Sequence, residues 1–325
     1  MKNKRNLNLD VLKGIAVIAV LLGHAIQRGL VEEYTGNFLF KIIYTFHMPF
    51  FMILSGYALE KYTKNINYKT IIKKFNRLII PTFIWSFIIY FMRDFSFVGI
   101  KPFIFFPDDK FVFIKTLFIY PTYIIWFLYT VFFCSLIILM QRKLFYNKSL
   151  GINLLITILI SLLLFQINSD KYGITTIKYY FPLFSLGYFV SPYKDKLLSN
   201  LKYMFIPGII IYILLFKYFT YGYSVNIINY IIAISATIIL WTIVEFINLP
   251  KIKIILSKFG KKSLEIYLCQ CICLNIGFGK GNIRIISIFI SATIISYLLS
   301  YITTNNKYLR ILYGSYKFDN KDKRL

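Results

Sequence analysis

The sequence predicts an all-α, polytopic membrane protein with about ten transmembrane helices and with both termini in the cytoplasm. Of its 325 residues, 58% are hydrophobic and 16% are charged, whereas a soluble domain carries about 25% charged residues. The apolar residues form repeated runs that are long enough to cross a bilayer. The basic residues concentrate in alternate segments between these runs. Lipid is therefore expected to solvate most of the apolar surface.

Ten apolar runs are candidates for these helices, since about 20 helical residues cross a bilayer. The runs cover residues 10–30, 39–59, 78–98, 121–140, 150–168, 177–192, 203–221, 226–247, 263–279 and 284–303. The segment 99–120 contains proline and aspartate among aromatic residues, and it is expected to be re-entrant or interfacial. The first run is too long for the hydrophobic region of a signal peptide, so it is expected to be a retained helix.

The distribution of lysine and arginine orients these runs. With a cytoplasmic N-terminus, the inner segments hold 26 of the 38 basic residues and the outer segments hold 11. This excess is the one that the positive-inside rule predicts. Residues 1–325 are expected to form a single membrane-embedded domain with no appended soluble domain.

Charge and cysteine content argue against two other kinds of site. The net charge of +25 would suit a nucleic-acid partner, but the basic residues flank apolar runs, so no nucleic acid is expected. Cys269, Cys271 and Cys273 have a spacing that can suggest a metal ligand set. Successive positions two apart on a helix diverge by about 200°, so these cysteines are expected to fill the core and no metal site is predicted.

The two histidines of the chain are the leading candidates for a functional site. Ionisable residues inside a membrane are costly and often functional; the alternative is a structural hydrogen bond between helices. His24 precedes the outer end of the first run, and His47 follows the outer start of the second. Both should lie roughly 9–12 Å below the outer surface, and this shared depth favours one site.

Two groups of charged residues lie towards the cytoplasm. Lys13 precedes His24 by eleven residues, which places both on one helix face about 16 Å apart. Asp10 is one turn earlier and can pair with Lys13. The alternative for both residues is an interfacial position with the charges directed to water.

The segment 60–77 is the most basic inner segment and ends with Lys73, Lys74 and Arg77. Lysine and arginine bind phosphate well. These residues can therefore form a cradle for a phosphate-bearing cytoplasmic ligand. The alternative is that they anchor the topology.

The sequence resembles the acyltransferase-3 family of membrane-bound acyltransferases. The resemblance rests first on residues 9–15, LDVLKGI, with His24, on residues 46–57, FHMPFFMILSGY, and on residues 74–78, KFNRL. Lys13 and His24 match the family pattern of a basic residue, ten residues and a histidine. Weaker matches follow at 125–128, 184–188 and 260–268. Residues 13–15, KGI, and the short length resemble the fucose 4-O-acetylase-like members of the family, which O-acetylate sugars.

The resemblance implies acetyl-CoA as a cytoplasmic donor substrate, no permanently bound cofactor, and a carbohydrate acceptor reached from the membrane or outer side. It also implies a multi-pass protein of a bacterial-type inner, or plasma, membrane. The CoA phosphates would suit Lys13, Lys73, Lys74 and Arg77. Gln270 stands where members often carry a histidine; it keeps hydrogen bonding but cannot act as a base.

Acyl transfer to a hydroxyl needs a base, a stabilised oxyanion and the exclusion of water. His24 is the expected base or transient acyl carrier, and His47 is expected to orient it or to contact the acceptor. Asp10, Lys13 and Gln270 are assigned supporting roles. The rival classes are a transporter or flippase for an envelope precursor, without acyl transfer, and a structural membrane protein. The absence of an inverted repeat argues against a transporter, and the oligomeric state is left open.

Overall fold

The computed structural model describes residues 6–30, 33–63, 66–92, 109–121, 125–222, 226–246, 248–274 and 276–314. We label the helices α1 (Leu7–Leu30), α2 (Phe38–Tyr57), α3 (Tyr68–Met92), α4 (Lys110–Ile119), α5 (Trp126–Leu144), α6 (Leu150–Gln166), α7 (Ile174–Val190), α8 (Lys194–Phe216), α9 (Ile227–Phe246), α10 (Pro250–Lys261), α11 (Ser263–Cys273) and α12 (Gly281–Asn305). A 3₁₀ turn at Leu309–Tyr313 follows. The described residues contain no strand, so the all-α prediction is confirmed.

Each of the ten predicted apolar runs overlaps one of these helices. Among the described residues, 7 helical stretches are long and apolar enough to cross a membrane, and one of them, Lys171–Phe216, contains both α7 and α8. Helices α6 and α11 are apolar but shorter, at 17 and 11 residues. The protein is therefore a multi-pass membrane protein. The number of crossings and the cytoplasmic position of the termini stay predictions.

Helix α3 differs most from its predicted run. It begins at Tyr68 rather than at residue 78, so Lys73, Lys74 and Arg77 lie on a helix and not in a loop. The physical reason is that apolar residues continue at helical spacing among the basic ones. The helix ends at Met92. Residues 93–98 of the predicted run and residues 99–108 of the predicted re-entrant or interfacial segment lie outside the described residues.

Two short helices also lie in segments predicted to connect the runs. Helix α4 begins after Asp109, whose side chain accepts a hydrogen bond from the Val112 backbone at 2.8 Å, as is typical of an N-cap. Helix α10 begins with Pro250 in its first turn, a position where the missing N–H costs nothing. Ile252, Ile255, Leu256 and Phe259 recur at helical spacing, so the segment forms an amphipathic helix.

A close glycine contact joins α10 to α1, the helix that carries His24. A Cβ atom at Gly14 would collide with the backbone carbonyl of Leu256, and one at Gly260 would collide with that of Asp10. Higher numbers on α10 therefore meet lower numbers on α1, so the two helices run antiparallel. Small residues let helix backbones approach in this way within membranes, and the contact fixes the first half of α1.

A second contact of the same kind joins α2, the helix of His47, to α7. A Cβ atom at Gly56 would collide with the carbonyl of Phe184, and one at Gly187 would collide with that of Ile53. Between α1 and α2 the separation is also small, since a Cβ at Gly23 would lie 3.1 Å from the Tyr44 ring. Each helix that carries a histidine is thus held against a partner helix by close backbone packing, α1 against α10 and α2 against α7.

Candidate functional site

His24 and His47 line one cavity of about 310 Å³, which we call the histidine cavity. It reaches from the connection between α8 and α9 to α11, where Tyr267 lies near the beginning of the helix. Most of its other lining side chains are aromatic, namely Tyr44, Trp126, Tyr179, Tyr180, Phe219, Tyr221 and Tyr267. The predicted pairing of the histidines at one depth therefore corresponds to a shared cavity.

His47 is held by its own helix. Its side chain is buried, and its Nδ1 donates a hydrogen bond to the carbonyl oxygen of Ile43 at 2.8 Å. The ring of Tyr44 packs edge-on against the imidazole, with centroids 4.4 Å apart. A carbonyl can only accept a hydrogen bond, so the proton of the neutral imidazole lies on Nδ1 and Nε2 is the basic nitrogen.

His24 is held by a side chain one turn further along α1. Its Nδ1 donates to Oε1 of Gln27 at 2.8 Å, and Nε2 of Gln27 donates to the Tyr221 hydroxyl at 3.4 Å. Burial raises the pKa of the Tyr221 phenol, with a further contribution from Tyr34, so this hydroxyl stays neutral. Because Nδ1 of His24 donates its proton to the amide oxygen of Gln27, the basic nitrogen of His24 is Nε2, as it is in His47.

A cationic cluster lies towards the N-terminal ends of α1 and α3. It consists of Lys13, Lys61, Lys74 and Arg77. Nζ of Lys74 donates to Oγ of Ser135 at 3.4 Å. Lys74 and Lys61 approach the ring of Tyr62, at 5.1 and 4.9 Å from its centroid.

Lys61, Arg77 and Lys13 are near enough to Lys74 for their charges to repel its own. Like charges held together in this way favour the binding of a polyanion.

The four predicted phosphate-binding residues do not all lie in the cationic cluster. The structure brings Lys13, Lys74 and Arg77 together, although they come from two helices. Lys73 is exposed, as Lys61 and Arg77 also are, and it lies about 100° around α3 from Lys74. Lys61 joins the cluster without having been predicted, and its position between two apolar runs gives no signal that separates it from other basic residues.

The two remaining predicted residues are both buried, at 5% exposure for Asp10 and 1% for Gln270. Asp10 precedes His24 by 14 residues, or about 21 Å along the helix, so it cannot orient His24 directly. Oε1 of Gln270 has no hydrogen-bond partner among the described residues. Such a buried oxygen costs about 1–3 kcal/mol, so a ligand group that donates to it would be favoured.

Gln27 and Tyr221 are site residues that sequence reasoning missed. Gln27 had a signal, because it lies three residues after His24 and shares its helix face. Tyr221 had none, because the chain must return through α8 before this residue reaches α1. The aromatic lining of the cavity could not be predicted from the sequence either, because its residues come from five separate parts of the chain.

The fold and the cavity together define a class, a multi-pass α-helical membrane protein with an imidazole pair facing a common cavity. A family model described as an acyltransferase domain matches residues 6–305. The chain belongs to this family, the acyltransferase-3 family, and the resemblance seen in the sequence is confirmed.

Two nodulation proteins named NolL share part of the sequence. The one from Sinorhizobium fredii (strain NBRC 101917 / NGR234) is 36% identical over 92 residues, which are 27% of this chain and 25% of that protein. The one from Mesorhizobium japonicum (strain LMG 29417 / CECT 9101 / MAFF 303099) is 32% identical over 101 residues, which are 28% of this chain and 26% of that protein. The match thus spans about a quarter of the length of these relatives. No solved structure matches the chain significantly.

Proposed function

We propose that this protein is a membrane-bound O-acyltransferase that moves an acetyl group from cytoplasmic acetyl-CoA to a hydroxyl of a cell-surface or lipid-linked carbohydrate. The observation that carries the proposal is the histidine cavity, in which two imidazoles share one space within a chain of the acyltransferase-3 family. A membrane transporter can also use intramembrane histidines, so the family match is what favours acyl transfer.

The cationic cluster supports the choice of donor. Acetyl-CoA carries phosphates at one end and the reactive thioester at the other. Lys13 and His24 share a face of α1 and lie about 16 Å apart along it, a separation that the pantetheine arm can bridge. The phosphates would pair with the cluster while the acetyl group reaches His24.

The depth of the cavity is consistent with this path. Tyr267 lines it and lies only a few residues after Lys262. Nζ of Lys262 donates to the Ser300 carbonyl at 3.2 Å and to Oγ1 of Thr304 at 2.9 Å, close to the last residue of α12. The cavity therefore extends from the α8–α9 connection well into the half of the bundle that contains Lys13.

The aromatic lining supports a sugar acceptor. Trp126 and Tyr180 stack with centroids 5.1 Å apart and planes inclined by 16°. A sugar ring has apolar C–H faces and a polar rim, and tyrosine and tryptophan offer the matching combination of a flat apolar face and a polar edge. The volume of about 310 Å³ suits a single terminal sugar ring with its acetyl group.

The chemistry of the proposed reaction uses Nε2 of His24. The acceptor hydroxyl gives its proton to Nε2 as its oxygen attacks the thioester carbon, and tyrosine hydroxyls of the cavity can donate to the developing oxyanion. The carbon–sulfur bond then breaks, and the imidazolium returns the proton to the departing thiolate. In a second route, Nε2 attacks the thioester first, the carbon–sulfur bond breaks, and CoA leaves as the thiolate. The hydroxyl then attacks the acyl carbon and gives its proton to His47, the bond to Nε2 breaks, and the proton that His47 passes to water balances the one that the thiolate takes up.

Membrane vesicles that contain the protein, supplied with acetyl-CoA labelled in the acetyl group, test the proposal. We expect label in a carbohydrate fraction and stoichiometric release of CoA, both absent from vesicles without the protein. Uptake or flipping of a glycan precursor with no release of CoA would instead establish the transporter class. Rapid quenching in denaturant at near-neutral pH within a single turnover separates the two chemical routes, since only the second leaves label on the protein and an acyl-imidazole is labile in acid.

A further inference from the structure

The hydrogen-bonded chain from His24 through Gln27 to Tyr221 joins α1 to the connection between α8 and α9. Gln27 accepts from His24 at 2.8 Å and donates to Tyr221 at 3.4 Å. A glutamine amide has an oxygen that only accepts and a nitrogen that only donates. It can therefore bridge these two groups in the arrangement that the structure has.

Tyr221 is itself held in place by aromatic neighbours. Its ring lies 5.3 Å from that of Tyr44 and 5.6 Å from that of Phe40, and these two rings stack at 3.9 Å. Because α2 carries both neighbours, the tyrosine at the end of the hydrogen-bonded chain packs on the helix that also carries His47. Gln27 is thus tied to a tyrosine whose ring packs against two other aromatic rings.

We propose that Gln27 is a positioning residue that keeps the proton of His24 on Nδ1, so that Nε2 remains the basic nitrogen facing the reaction, and that Tyr221 holds Gln27 in the orientation this requires. This inference rests on the proposed function. The opposite orientation of the amide would direct its N–H₂ group at Nδ1, which would move the imidazole proton to Nε2 and remove the base. A base with the wrong tautomer loses orders of magnitude in rate even when its geometry is intact.

Three substitutions separate this role from a purely structural one. Gln27→Met keeps the length of the side chain but removes both hydrogen bonds, and kcat should fall by about 10- to 100-fold. Gln27→Glu supplies an oxygen that can only accept, so kcat should stay within about threefold of the unsubstituted protein. Tyr221→Phe keeps the ring contacts and loses the hydroxyl; we expect a fall in kcat of about three- to tenfold.

The measurements are kcat and the KM of each substrate for purified protein in proteoliposomes, with the elution profile as the test of folding. The KM values for acetyl-CoA and acceptor should change by less than about threefold, because a positioning residue acts through His24. Tyr218→Phe is the matched control, since Tyr218 is an exposed tyrosine of the same connection, and it should leave kcat unchanged.

Several results would overturn the inference. A folded Gln27→Glu protein as inactive as Gln27→Met would mean that the amide donates to His24 rather than accepting. A Gln27→Met protein with normal kcat, or one whose defect lies in the acceptor KM alone, would remove the positioning role. A His24→Ala protein with normal activity would instead overturn the proposed function itself, so the two failures are distinguishable.

Discussion

His24 on α1 and His47 on α2 line the same cavity, and each uses Nδ1 in a hydrogen bond of 2.8 Å, to Gln27 and to Ile43 respectively. The two imidazoles therefore have the same basic nitrogen although their partners differ. His47 depends on a backbone carbonyl of its own helix, whereas His24 depends on a side chain. Substitutions near His24 should accordingly perturb the chemistry more easily than substitutions near His47.

The first prediction concerns the two histidines. His24→Ala should lower kcat by at least about 100-fold, because it removes the proposed base or acyl carrier. His47→Ala should lower kcat less, or raise the acceptor KM. The assay is label transfer from acetyl-CoA in proteoliposomes, with insertion and elution profile as controls. Equal, near-normal activity in both variants would exclude the cavity as the reaction site.

The second prediction concerns donor binding. Arg77→Ala and Lys61→Ala should each raise the KM for acetyl-CoA by about tenfold, because each removes a charge that pairs with phosphate. The acceptor KM should not change, and added salt should reduce the difference from the unsubstituted protein.

Lys73→Ala provides the matched comparison for that experiment, because Lys73 is exposed, as Lys61 and Arg77 are, but lies about 100° around α3 from Lys74. It should raise the acetyl-CoA KM less than either of the other substitutions. If Lys73→Ala has the largest effect of the three, the phosphates bind on a different face of α3.

The third prediction concerns the acceptor. Trp126→Ala should raise the acceptor KM by about three- to tenfold, in line with the loss of one aromatic stacking contact, and should leave the acetyl-CoA KM unchanged. Trp126→Phe should have an intermediate effect because it keeps an aromatic face. An acetyl-CoA KM that rises with an unchanged acceptor KM would place the donor, and not the sugar, against this wall.

The fourth prediction concerns the contact between α2 and α7. Gly56→Ala places a Cβ against the Phe184 carbonyl, so it should destabilise the protein by about 1–3 kcal/mol and lower its thermal midpoint in detergent. Gly36→Ala is the control, because nothing lies within 4 Å of the added atom, and it should be neutral. A Gly56→Ala protein as stable as the control would mean that the helices can separate without cost.

The sequence predicted those features that depend on one helix at a time. Apolar runs marked the helices, and the depth of His24 and His47 followed from their distance to the ends of two runs. The beginning of α3 was misplaced because Lys73, Lys74 and Arg77 resemble a loop by charge, although the apolar residues between them keep helical spacing. Hydropathy detects burial in lipid and is insensitive to a helix that continues into the interface.

Features that depend on several helices could not be predicted from the sequence. Tyr221 meets Gln27 across 194 positions of sequence. The antiparallel contact at Gly14 and Gly260 likewise requires knowledge of which helices are neighbours. Such pairings depend on side-chain shape at a specific crossing, and periodicity within one segment carries no information about them.

The most direct test of the central claim is mass spectrometry of envelope glycans from cells with this protein, without it, and with His24→Ala. The account predicts a species heavier by acetyl units only in cells with the unsubstituted protein, and its fragmentation would identify the acceptor sugar. The same acetylated species in cells with an expressed, membrane-inserted His24→Ala protein would contradict the role of His24. Identical glycans in all three would contradict the proposed acetylation of carbohydrate.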